Sequence, residues 1–231
     1  MSGLKGFLKR PSLPTKEPAE TPIKSEPELA PLPPKDAKIV RYPRCNREMA
    51  LGYETLLKNC YIKNEKLGAV DSIAKRILKN KERYNAVGTK IHMPWELIGA
   101  LHNLEASGNF KGVMHNGELI IGTGKKTRLV PAGRGPFPDW ESSAIDAFGI
   151  ETKRPAGYRW DVANTLYYGE LFNGFGYRNK GINSPYLWSF TNNYTAGKYV
   201  ADGVWSRTAV SQQCGVAPIL MVLGWKPESW V

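Results

Sequence analysis

One helix and the turn behind it constrain this chain more than anything else in it. In residues 94–121, PWELIGALHNLEASGNFKGVMHNGELII, the apolar residues Trp95, Leu97, Ile98, Leu101 and Leu104 recur at helical spacing. Pro94 suits a first helical position, where a missing N–H is harmless, and Gly108 suits a stop. Trp95, Ile98, His102 and Glu105 fall on one stripe of that helix. Glu105 therefore belongs to the last turn, beside apolar neighbours. Desolvation and the unpaired carbonyls of a helix end both disfavour negative charge. The placement predicts a carboxyl able to keep its proton near neutral pH, as a general acid must. The plainer alternative is a surface glutamate that happens to border an apolar stripe.

The next residues weigh against that alternative. Asn116-Gly117, set between short apolar-rich flanks, is a strong hairpin signal, because a type I′ turn needs positive φ at both central positions. His115 and Glu118 flank the pair. A hairpin folded over the helix end would turn Glu118 toward Glu105, and the gap between two such carboxylates separates inverting from retaining glycoside chemistry. The following GTGKKT lacks the spacing of a phosphate loop, which excludes that kind of nucleotide site.

The chain has 231 residues, 42% of them hydrophobic, with seven Trp and eleven Tyr, enough for one well-filled core. A net charge of +11 draws it to polyanions, among them nucleic acid, anionic lipid and an anionic cell wall. No zinc-finger or RNA-binding signature and no dense Lys/Arg arm is present, so a nucleic-acid partner is not expected. Cys45, Cys60 and Cys214 are odd in number and share no metal spacing, which predicts free thiols. His102 and Glu105 on one helix face with His115 nearby would make a sparse zinc set, but not the H-E-x-x-H pattern; neither metal nor cofactor is expected. No apolar run has the length of a secretory signal or a membrane span.

Residues 1–44 hold nine of the 17 prolines, mixed with Lys and Glu and without helical or strand period, and read as an extended or disordered arm that a partner could order. Residues 45–231 read as one domain. Periodicity predicts helices over 46–64, 71–78, 81–89 and 158–172, the last ended by Gly174. Asp139 is placed to cap a helix beginning WESSAIDAF. A last helix is expected over 207–223, capped by Ser206 and kinked at Pro218. Residues 174–203 form a long, glycine-rich segment full of aromatic and amide side chains, a composition suited to sugars, whose C–H faces stack on rings. Tyr177, Asn183, Tyr186, Trp188, Asn193, Tyr194 and Tyr199 are the candidates, with Trp188 and about half of the tyrosines expected to pack the core instead.

On Glu105-Ala106-Ser107-Gly108-Asn109-Phe110, the His-Asn-Gly turn, and the segments NGFGYR and SPYLWSFTNNYTAGKY, residues 45–225 resemble the lysozyme-like superfamily of peptidoglycan hydrolases. The Glu motif is similar to that of goose-type lysozymes and soluble lytic transglycosylases. The resemblance implies a mostly helical α+β domain with a small hairpin over a cleft, and cleavage of the β-1,4 glycan backbone of the bacterial cell wall. It implies that Glu105 is the catalytic acid, with Glu118 at the second acidic position. Ser107, His102, His115, Asn116, Tyr177, Asn193 and Tyr194 would orient the acid or bind the glycan. Ser107 stands one place away from the family's Glu-Ser pair, so hydrolase and lytic transglycosylase both remain open. Without a secretory signal, the expectation is a phage protein made in the host cytoplasm and acting at the wall. It would be an endolysin or a virion part, with residues 1–44 as the contact to tail or other virion proteins. The rival is a non-catalytic virion or wall-binding protein that keeps the fold.

Overall fold

The computed structural model describes residues 45–151, 158–201 and 203–228; the expected arm lies outside them. The described chain is mostly helical, with one small two-stranded antiparallel sheet, an α+β composition. Helix α1, Arg47–Lys58, starts where the Asn46 side chain accepts the Met49 N–H, a regular N-cap. Then come α2, Leu67–Lys79, α3, Lys81–Ile91, and α4, Trp95–Ala106. Helix α5, Trp140–Glu151, is capped by Asp139 as its sequence predicts, the carboxylate accepting the Ser142 N–H at 2.7 Å. Helix α6, Val162–Asn173, begins at the Asp161 cap, four residues later than periodicity alone suggests, and ends at Gly174. A four-residue helix α7, Pro185–Trp188, precedes strands β1, Lys198–Ala201, and β2, Val204–Ser206, and α8, Val216–Val222, closes the fold.

Helix α4 is the axis of the molecule. Every residue from Leu97 to Leu104 is buried, and the helix packs against α2, α3, α6 and α8. A helix apolar on all sides belongs inside a bundle rather than on its surface. Helix α6 is buried along Ala163–Glu170 in the same way and packs on α1, α7 and α8. Between α7 and α8 the backbones nearly touch: a Cβ on Gly215 would lie 2.4 Å from the Leu187 carbonyl oxygen, so only glycine permits that approach.

Three local expectations are corrected. Pro94 is the N-cap of α4 and not its first helical residue. The predicted helix over 207–223 is reduced to α8, because Gly215 caps a helix in whose first turn Pro218 sits without needing an N–H. The predicted hairpin over 113–121 has no strands. Asn116 has no positive φ, as a type I′ turn would require, and only Gly117, at φ +75°, is left-handed. The actual β-hairpin is β1–β2, with Lys198 opposite Ser206 and Tyr199 opposite Trp205. Among the described residues no helix is long and apolar enough to cross a membrane.

Candidate active site at the end of helix α4

Helix α4 stops cleanly. Ser107 takes the left-handed conformation at φ +53°, and its N–H and that of Gly108 both reach the His102 carbonyl. This fixes Glu105, half-buried, in the last turn of the helix. The chain then bends through a tight turn in which the Val113 N–H donates to the Glu118 carbonyl and the Gly117 N–H to the Val113 carbonyl. The turn lies directly on the helix end, since a Cβ on Gly117 would come within 2.7 Å of the Glu105 carbonyl oxygen.

Glu105 receives a partner from far along the chain. The Tyr186 hydroxyl of α7 donates to its Oε1 at 2.7 Å. Tyr186 also lines a depression of about 160 Å³ together with Asn173, Tyr177, Lys198, Tyr199, Ser211 and Gln213. Gln213 in turn donates from Nε2 to the Leu104 carbonyl at 2.6 Å, so a second wall residue is bonded to the last turn of α4. Tyr177, Tyr199 and Trp205 pack edge to face around the β1–β2 hairpin, with ring centroids 5.1 to 5.9 Å apart. The result is a carboxyl on a rigid helix, held by a phenol, next to a recess of rings, amides and a lysine.

The other sequence candidates divide. Tyr177 lines the recess as expected. Ser107 is exposed at the helix end. His102 is fully buried and cannot touch a substrate: its Nδ1 pairs with the Tyr84 hydroxyl at 3.0 Å inside a cluster with Phe110 and Trp140. Burial lowers its pKa from 6.5 to about 4, so the ring stays neutral. His115 hides its side chain too, with Nε2 on Asp146 at 2.8 Å and the ring stacked on Phe137. Arg134 binds the same Asp146 carboxylate through both Nε and Nη2. Burial alone would raise Asp146, but Arg134 and His115 outweigh it and hold the carboxyl below its ordinary value. His102 and His115 therefore serve different clusters, and among the described residues no three His, Cys, Asp or Glu side chains form a metal site.

Glu118 is bonded into the backbone of its own loop. Its carboxylate accepts the Arg128 and Leu129 N–H groups at 2.9 and 3.0 Å and the Asn116 amide at 3.2 Å. These bonds, the one from Leu129 first, hold its pKa below the usual carboxylate value. Asn116 completes the turn by accepting the Glu118 N–H. Tyr194 is 3% exposed, donating to the Gly197 carbonyl and accepting from the Ser211 N–H, and so is a core residue rather than a stacking platform. Asn193 anchors its segment on the Leu56 carbonyl at 2.9 Å. Trp188 is buried in the core, as expected of it. Lys198, Ser211 and Gln213 carry no local signal in the sequence, since only the tertiary fold brings them into the recess that Tyr186 lines.

No protein-family profile, curated protein or solved structure matches this chain.

Proposed function

We propose that this protein is a lysozyme-like glycosidase that cleaves the β-1,4 glycan backbone of peptidoglycan, with Glu105 as its general acid. The observation that carries the reading is the Tyr186–Glu105 bond at the lip of an aromatic and amide-lined recess. Glycoside cleavage needs a proton delivered to the leaving oxygen by a carboxyl held in place. Helix α4 holds the Glu105 backbone, and Tyr186 fixes Oε1. Tyr177, Tyr199 and the amides of Asn173 and Gln213 would receive the sugar beside it. Asn116 and Glu118 hold the loop over the helix end, and His102 and His115 pin its two flanks. The net charge of +11 favours an anionic wall, less so at high salt. A phage source, as endolysin or virion part, belongs to the same proposal, with residues 1–44 as the contact to other virion proteins.

The test is digestion of purified peptidoglycan by wild type and Glu105→Gln, with products identified by mass spectrometry. Loss of a positioned general acid lowers the rate by roughly 10²–10⁴-fold. New reducing ends in the wild type alone establish a hydrolase, and anhydro-sugars establish a lytic transglycosylase with the same acid. Binding without products from either protein would sink the catalytic reading in favour of a wall-binding protein.

A further inference from the structure

A cavity of about 510 Å³ lies between α1, α6 and the segment 178–188, and it shares no lining residue with the recess beside Glu105. Its size falls within the range of small-molecule sites. Glu170 lines it while only 3% exposed, an unusual place for a carboxylate. The Tyr53 hydroxyl donates to Glu170 Oε2 at 2.5 Å, and Arg178 Nη2 donates to the same oxygen at 2.7 Å. The guanidinium also lies 5.0 Å over the Tyr53 ring. Both bonds fall on one carboxylate oxygen; among the described residues Oε1 accepts none. Ser184, 2% exposed, lines the same cavity, and its buried hydroxyl has no partner among the described residues. Asn183 donates its Nδ2 to the Asn193 carbonyl and also lines the cavity.

The chemistry of these groups selects a class of ligand. Glu170 and Arg178 cancel in charge, and the exposed Glu48 at the rim disfavours an anion. A carboxylate oxygen, a guanidinium and a hydroxyl side by side suit a ligand that donates and accepts through several hydroxyls. Met49, Leu56 and Ile182 supply the apolar wall that a sugar's C–H face needs. We infer that this cavity is a second saccharide site, taking a neutral sugar unit through its hydroxyls, separate from the proposed place of cleavage. It would hold a glycan strand to the protein whether or not Glu105 is acting on it.

Gly52 provides a clean test, because it lines the cavity on an exposed face of α1 and a Cβ there meets nothing within 4 Å. The full chain carrying Glu105→Gln, which keeps the probe intact, is titrated with N,N′-diacetylchitobiose and followed by amide NMR. Saturable shifts are expected at Gly52, Gly181 and Asn183. Adding Gly52→Phe should weaken that binding at least tenfold, and adding Gly52→Ala should leave it within twofold. Absence of saturable shifts at those three amides, or shifts indifferent to Gly52→Phe, overturns the second site. Shifts confined to Lys198 and Gln213 overturn it while favouring the cleavage site. Shifts at the cavity amides, with no cleavage by wild type, support the second site and count against the glycosidase.

Discussion

Glu105 and Glu118 stand on either side of one turn, yet their surroundings are opposite. Glu105 is carried by a helix buried on every side and takes a phenolic hydrogen bond from α7. Glu118 is carried by an irregular loop and is saturated by that loop's own amides. A carboxylate that holds two backbone N–H groups is a structural cap, because moving it would strand both donors. Glu105 instead meets a side-chain hydroxyl from a distant helix, beside a recess, and on the proposed reading this is where a proton is transferred. The difference teaches that two acidic residues on either side of one turn can be held in opposite ways, one by its own loop and one by a distant helix.

Several substitutions probe this contrast. The largest effect belongs to Glu105→Gln, where cleavage falls by the orders of magnitude given above while the thermal midpoint is unchanged. Gly117→Ala should come next, since it forces a side chain into a left-handed position against the Glu105 carbonyl. A loss of roughly 1–3 kcal/mol in urea unfolding is expected, together with reduced cleavage. An unstrained, fully active Gly117→Ala would mean that the turn does not press on the helix end.

Acid should weaken the protein through His102, on the buried side of the same helix. Its folded pKa of about 4 is below the 6.5 of a free imidazole, so the unfolded chain takes up the proton first. The stabilisation is therefore fully present above pH 6.5 and is lost as pH falls toward 4. About 2 kcal/mol should disappear between pH 7 and 5. The depressed carboxyls of Glu118, Asp139, Glu141 and Asp146 begin to lose theirs only at lower pH. Urea midpoints that stay flat from pH 7 to 5 would contradict a neutral, buried His102.

Tyr186→Phe removes one hydrogen bond to Glu105 and should slow cleavage about five- to tenfold, in line with roughly 1 kcal/mol. The smallest effect is expected for Glu118→Gln: faster hydrogen exchange at the Arg128 and Leu129 amides and cleavage within a few-fold of wild type. A Glu118→Gln protein as inactive as Glu105→Gln would erase the contrast and return Glu118 to the chemistry.

What could be read from the sequence follows from the range of the forces involved. Helices α1 to α6 announce themselves through local periodicity, and α5 through its Asp139 cap as well, signals that act within a few residues. Glu105 at a helix end is legible for the same reason. The Asn116-Gly117 pair marks a turn correctly, but whether strands flank it depends on partners outside the segment. Here the Met114 N–H donates instead to the Ser143 hydroxyl on α5. Tyr186 is visible as an aromatic in a sugar-like loop, though nothing local distinguishes it from Tyr194, which the fold buries. Gln213 carries no signal at all, since its place in the recess wall comes from a bond to Leu104 across 109 residues.

The bond between Tyr186 and Glu105 spans 81 residues, and α7 has only four residues, too few to persist as a helix by itself. During synthesis, therefore, α4 leaves the ribosome long before the phenol that holds its glutamate has been made. On the proposed reading, the carboxyl gains its working posture only once α7 has been made and packed against Gly215. Until then the growing chain carries the glutamate without the hydrogen bond that positions it.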